Sequence, residues 1–298
     1  MSQLLRERRP LAVLCLAASF ALSVGAGSCA SADQVPVDQE RELGAQLAAQ
    51  TAAQLPMVQD AGIDQFVSEL GELLVRNADT TGRHYTFYVV DSPVANAFAI
   101  PGGYVFINRG ILDLADEADE VAGVMAHEIG HVVRRHSLRQ MAKAQNTQNA
   151  VGIVYALLHR NPGAGEQVAL QVAGSALMAK YSRRDETEAD EVGLIFMTRA
   201  HFDPHGMPRF FEKLAREERR RPALVAQWFA SHPATAARIA DTDSLIARLP
   251  ADAVSRTVRD VPQFGQMKAR LAQLPPPPPD PTREQRPGEP APNRDRVP

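Results

Sequence analysis

Two histidines four residues apart bracket a glutamate in the run His127-Glu128-Ile129-Gly130-His131. On a helix this spacing puts both imidazoles on one face, one turn apart, so both can reach a single metal ion. Glu128 follows the first histidine and can touch a water on that metal, where a carboxylate serves as general base. H-E-x-x-H is the zinc-peptidase pattern, and the chemistry it implies is metal-assisted hydrolysis of a peptide bond.

Catalytic zinc usually takes three protein ligands and leaves one position for water, so a third ligand must be found. A third histidine from the same segment would need a helix-breaking glycine three residues after His131, then the histidine six residues after it. Arg134 stands at the glycine position and His136 is five residues on. The helix is expected to continue, leaving His136 on a different face as a surface or second-layer histidine. His201 and His205 are also four apart, but Asp203-Pro204 blocks a helix between them, and they read as turn residues. His84 and His159 stand singly and carry no functional reading.

The better candidate is Glu186, in Ser182-Arg183-Arg184-Asp185-Glu186-Thr187-Glu188-Ala189-Asp190. Glu186 and Asp190 are four apart and share a helical face. A helix carrying them across the H-E-x-x-H helix would place Glu186 on the metal. Asp190 would then accept the free N–H of a ligand histidine, His127, and fix its tautomer. Asp185 and Glu188 point elsewhere and read as solvated acids. His232, in Ser231-His232-Pro233 ahead of a helix with Arg238, is read either as donor to the developing oxyanion or as a ligand in the zinc's open position in a resting state.

The elements that must hold these residues can be read from periodicity. Asp38–Gln54 reads as a helix, and Asp64–Arg76 as a second with Phe66, Val67, Leu70, Leu73 and Leu74 on one stripe. Tyr85–Val90 reads as a strand. Asn96–Ile100 and Tyr104–Asn108 are two more strand pieces around Pro101-Gly102-Gly103. A helix from about Glu117 to Ala144, with Asp116 as N-cap, carries the motif. Ala150–Leu158 and Val168–Ala179 read as a helical hairpin, either core or lid, whose second arm runs on as a helix through Glu186 to about Arg199. Further helices are expected near Pro208–Arg219, Pro222–Ala230 and Pro233–Ala247.

The 298-residue chain has 45% apolar residues and a net charge of −3. Neither that charge nor any basic stripe with interleaved aromatics gives reason to expect nucleic acid. Residues 1–30 read as a secretory signal peptide: Arg6, Arg8 and Arg9, then apolar Leu11–Val24, too short for a comfortable membrane span. Two cleavage readings compete. Ala30-Ser31-Ala32 is an A-x-A site that would release a soluble protein. Ala26-Gly27-Ser28-Cys29 looks like a lipobox, with Ala26 where Leu is usual, and would leave Cys29 acylated for outer-membrane association. Cys15 and Cys29 are the chain's two cysteines, so any metal in the mature domain must be held by His, Asp or Glu. From Pro275 the proline-rich run has almost nothing to bury and reads as a disordered tail.

Four segments together resemble the gluzincin peptidases that include HtpX, the CAAX prenyl endopeptidase and the periplasmic protease BepA. They are Asn96-Ala97-Phe98-Ala99-Ile100-Pro101-Gly102-Gly103, the His127 motif with Arg135-His136-Ser137, Ser182–Asp190, and Ser231-His232-Pro233. Their order and spacing match over roughly Asp38–Leu249. The resemblance implies an α+β, mostly α, zincin-type domain over 36–250, followed by a C-terminal extension over 251–274 and the tail. It implies one Zn2+ on His127, His131 and Glu186, Glu128 as base, and a supporting, sometimes proton-donating, role for Asp190. It also implies that Asn96, Ala97, Phe98 and Ala99 bind substrate by strand addition. The chain departs from its relatives in lacking the membrane helices of HtpX and the prenyl endopeptidase and the C-terminal helical repeats of BepA. The reading is a metalloendopeptidase of the periplasm acting on unfolded or extended polypeptides. The rival is a non-proteolytic, zinc-containing, chaperone-like binder of the same partners.

Overall fold

The computed structural model describes residues 35–76, 78–79, 81–145, 180–233 and 236–278. The expected signal peptide, the 150–179 hairpin and most of the proline-rich tail lie outside the described residues. Helices α1 (Val37–Gln54) and α2 (Ala61–Arg76) precede three strands, β1 (Thr86–Val90), β2 (Ala97–Ile100) and β3 (Tyr104–Asn108). Then come α3 (Arg109–Leu114), α4 (Ala118–Val133) and α5 (His136–Gln145). After the undescribed stretch follow α6 (Arg183–Arg199), α7 (Gly206–Arg220), α8 (Ala226–Ser231) and α9 (Ala236–Ile246). Two further helices, α10 (Ala251–Val254) and α11 (Pro262–Leu271), close the described chain.

The strands form one sheet in the order β1-β3-β2, with β1 parallel and β2 antiparallel to β3. Alternation along the strands feeds two cores. Ala97, Ala99, Val105 and Ile107 join the core built with α2 and α4. Phe98, Ile100 and Phe106 join a smaller one with Leu43 and Leu47 of α1 and Leu138 of α5. Helix α2 buries the stripe Ile63, Phe66, Val67, Leu70 and Leu74, as its 3.6-residue period requires. Helix α4 is buried on all sides from Ala118 to Val132, so it runs through the centre of the molecule. No described helix is long and apolar enough to cross a membrane.

Three boundaries differ from expectation, each for a tertiary reason. The helix carrying the H-E-x-x-H motif does not run to Ala144. It stops at Val133, and Arg135 takes a left-handed backbone conformation, φ 54°. An L-residue holds that conformation only where its surroundings over-determine it. Here the buried Glu40 carboxylate accepts from Arg135 Nε (2.9 Å) and Nη2 (2.7 Å). The chain therefore turns, and a new helix starts at His136. The second boundary is the start of α6. It opens at Ser182 with a capping box: Ser182 Oγ accepts from the Asp185 N–H, and the Asp185 carboxylate accepts from the Ser182 N–H. The chain from Lys180 to Ser182 is not helical, so no helix enters Arg183 directly from the apolar run.

The third is the start of α4. Asp116 is not its N-cap but pairs with Lys213 at 2.5 Å. Glu117 is the capping residue, and its side chain makes no capping bond. The acceptors come from far along the chain: Asp260 Oδ1 takes the Ala118 N–H (3.2 Å), and the Arg259 carbonyl takes the Asp119 N–H (2.9 Å). The segment 251–274 thus folds onto the main body. Phe264, Met267 and Leu271 lie in the large core. Lys268 Nζ donates to the carbonyls of Leu112, Asp113 and Ala115 at the end of α3. In return, Arg109 at the start of α3 donates to the carbonyls of Leu271 and Pro275.

Candidate metal centre

Helices α4 and α6 cross at unusually close range because each presents a glycine. A Cβ on Gly130 would lie 2.5 Å from the Ala189 carbonyl oxygen, and one on Gly193 would lie 3.1 Å from His127 N. The Gly130 clash is with backbone and would force the helices apart, whereas at Gly193 the nearest atom is the flexible Met207 Cε at 2.8 Å and the backbone is merely tight. This crossing puts Glu186 opposite the two histidines. Gly130→Ala is accordingly expected to lose stoichiometric zinc while keeping its helix content, since alanine is the better helix former. Zinc analysis beside far-UV circular dichroism checks this, and a variant with a full zinc complement would disprove the spacing argument.

His127, His131, Glu186 and His232 each offer a ligand atom, all within 4.8 Å of one another and all buried. His131 Nε2 is 3.0 Å from His127 Nε2 and 3.5 Å from Glu186 Oε1. His232 Nδ1 lies 3.3 Å from His127 Nε2 and 3.1 Å from Glu186 Oε1. Neutral imidazoles and a carboxylate gathered without thiolates suit zinc. Glu128 fits the same reading: both carboxylate oxygens are buried with no hydrogen-bond partner among the described residues. Its Oε1 is 3.4 Å from His232 Nε2.

Burial penalises every charge here. It pushes the Glu128 carboxyl up and the His131 imidazole well down. Against that burial, His232 and Arg238 hold Glu186 well below the usual carboxylate range. Arg238 likewise holds Asp190 below its ordinary value against its burial. His232 is held above its ordinary value, despite its burial, by Glu186 and Glu128.

Around this cluster stands a ring of supporting groups. Asp190 Oδ1 lies 2.8 Å from His127 Nδ1, as the helical spacing of Glu186 and Asp190 anticipates. Arg238 grips Asp190 through Nε (2.7 Å) and Nη2 (2.8 Å), pairs with Glu186, and lies over the Phe211 ring at 4.4 Å. Such a forked guanidinium contact fixes both partners. His232 stacks on Trp228. Tyr181 stacks on His131 with ring centroids 3.9 Å apart.

His136 takes the second of its two expected places, a layer behind the cluster, rather than the surface or a face turned away from it. The turn at Arg135 buries it, with its Nδ1 2.9 Å from His131 Nδ1. Burial takes it down to about 4, although Asp185 and Glu188 face it. Those two acids are not simply solvated either, since one closes the capping box and the other pairs with His136, Arg139 and Arg184. Among the described residues, His201 and His205 belong to no metal cluster. His201 sits in a turn with φ 63° and His205 opens α7.

Asn96 immediately precedes β2 and Ala97–Ala99 are its first three residues; β2 pairs on one side with β3. The bond from Asn108 N–H to the Asn96 carbonyl sets the phase of that pairing. In this phase Ala97 and Ala99 direct their backbone groups away from β3. The Ala99 carbonyl accepts from Ser137 Oγ (3.1 Å), which in turn meets Tyr181 OH (2.9 Å). Arg238, Tyr181, Ser137 and Trp228 were not assigned site roles from the sequence. Each reaches the site through tertiary packing, and no local spacing marks it.

Two crossed helices that hold two histidines, a glutamate and a flanking aspartate beside a small mixed sheet define a zincin-type metallopeptidase domain. Comparison with known proteins fixes the class further. The model of peptidase family M48 matches residues 63–246, and the chain belongs to that family, whose metal is zinc. It is 32% identical over 211 residues to the beta-barrel assembly-enhancing protease of Yersinia pestis. The corresponding protein of Escherichia coli K12 is 32% identical over 216 residues; each alignment covers 69% of this chain and 43% of the relative. Mitochondrial metalloendopeptidase OMA1 of Schizosaccharomyces pombe is 32% identical over 175 residues, 58% of this chain and 50% of that protein. The chain thus spans half or less of these curated relatives.

Proposed function

We propose that this chain is a zinc-dependent endopeptidase of the bacterial cell envelope that cleaves unfolded or misassembled envelope proteins as extended polypeptides. The observation that carries the reading is Glu128. Burying a carboxylate with neither oxygen hydrogen-bonded, and with only the 3.4 Å ionic contact to His232, is costly, and a structural metal site has no use for it. A general base beside a metal-activated water does. This argues against the chaperone-like binder.

His127, His131 and Glu186 would hold the zinc, which when bound would supply Lewis acidity to the scissile carbonyl and to a water whose pKa it would bring to roughly 7. Glu128 takes the proton of the attacking water and passes it to the departing amine. Asp190 accepts from His127 Nδ1 and keeps Nε2 for the metal. His232 donates to the developing oxyanion. Its Nδ1 lies among the clustered ligand atoms, which supports the alternative role, in which His232 would itself help hold the metal in a resting site. The outward backbone groups of Ala97 and Ala99 would pair with substrate, flanked by Asn96 and Phe98. Strand addition reads backbone more than side chains and so favours unfolded clients.

The envelope assignment rests on the signal-peptide reading of residues 1–30 and on the name of the bacterial relatives. Anchoring through an acylated Cys29 belongs to the same proposal. The test is zinc content by mass spectrometry together with casein cleavage. One zinc per chain and cleavage abolished by chelation and restored by zinc are expected. Substoichiometric zinc, equal to that of His127→Ala, would overturn the metal reading. Full zinc with no cleavage of casein would favour the chaperone-like binder.

A further inference from the structure

We infer that His136 is the positioning residue of the zinc ligand His131, the middle member of a chain that runs from the metal through two imidazoles to a carboxylate. The inference rests on the zinc site proposed above. His131 turns its Nε2 toward His127 and Glu186. With Nε2 given to a metal, neutral imidazole carries its proton on Nδ1, and that N–H needs an acceptor. His136 Nδ1 stands 2.9 Å away. To accept, it must present its lone pair, so the His136 proton sits on Nε2. That nitrogen faces Glu188 Oε2 at 3.4 Å and Asp185 Oδ1 at 3.5 Å. Glu188 is held in turn by Arg184 Nε (2.7 Å) and Arg139 Nη2 (3.3 Å). Each tautomer in the chain is fixed by the next partner.

The two ligand histidines are therefore supported differently. His127 donates directly to a carboxylate that Arg238 holds. His131 donates to an imidazole, with the carboxylate one step further out. The arrangement depends on the turn at Arg135. On a continuous helix His136 would sit about 500° from His131, some 140° round the axis and on another face. The left-handed Arg135, locked by Glu40, brings it back.

The test is zinc affinity of the whole chain by chelator competition for wild type, His136→Leu and His136→Asn. Partners behind a metal ligand typically change affinity 10–100-fold. Leucine fills the space but accepts nothing, so zinc should bind 10–100-fold more weakly. Asparagine places a carbonyl oxygen near the position of Nδ1 and should restore affinity to within about threefold of wild type, by the acceptor inventory. A leucine variant that binds as wild type does, or an asparagine variant as weak as leucine, would overturn the inference. If His136→Leu does not fold, long-range 1H–15N correlations of the zinc-loaded wild type decide. His136 protonated on Nε2 supports the chain, and protonation on Nδ1 sinks it. Wild type that takes up no zinc would count against the zinc site itself, whereas equal affinities in wild type and His136→Leu would count only against His136.

Discussion

Glu128→Gln is expected to keep its zinc and lose its proteolysis. Glutamine matches the shape of the buried carboxylate, and Glu128 is not among the clustered ligand atoms, so metal content should stay at wild-type level. What disappears is the proton acceptor. General base catalysis is worth 10²–10⁴-fold in rate, or about 3–5 kcal/mol of transition-state stabilisation. Turnover of casein should fall by that factor. The same substitution should not weaken the fold. Burial raises the Glu128 pKa, which means the charged form is held at a cost, and glutamine removes the charge. Melting in the presence of chelator should occur at or above the wild-type temperature, the usual trade between stability and an activated group. A zinc-replete variant that retained more than about a tenth of wild-type turnover, against the 10²–10⁴-fold loss a base implies, would show that another group accepts the proton.

The clustering of His127, His131 and Glu186 was legible because helical periodicity aligns each pair on one face. His127 with His131, and Glu186 with Asp190, are each one turn apart, and the crossing of two such faces leaves few arrangements. The sheet was legible for a similar reason: alternation in Tyr104–Asn108 sorts Val105 and Ile107 from Phe106. What failed were features decided from afar. Nothing near Arg135 announces a break, because the lock is Glu40, 95 residues earlier. Misplacing that break turned His136 to another face, although the second-layer alternative agrees with its contact to His131. Asp116 looked like a cap because nearby residues were the only candidates in view, while the acceptors sit at Arg259 and Asp260. The start of α6 was a missed local signal. Ser182-x-x-Asp185 is a capping box in its own right, but the apolar run before it suggested one long helix.

Ending the chain at Leu249 should largely unfold a domain that a reading of the motifs alone would call complete. The family model itself matches only as far as residue 246. Yet Phe264, Met267 and Leu271 are 3%, 1% and 2% exposed within the main core. Burying each such side chain contributes about 1.5–3 kcal/mol, or about 5–9 kcal/mol for the three. A whole domain of this kind is stable by only about 5–15 kcal/mol. Truncation also leaves the buried Arg109 without its Leu271 and Pro275 carbonyls. It strips the acceptors from the first turn of α4 as well, and that helix carries His127, Glu128 and His131. Loss of cooperative melting and loss of zinc should therefore come together. A chain ending at Pro278 retains every one of these contacts and serves as the control. Asp260→Ala isolates the cap and should destabilise by about 1 kcal/mol, the usual worth of a helix N-cap. Should the Leu249 truncation melt within a few degrees of the control and still bind zinc, the C-terminal segment would be packing that the active-site helix can do without.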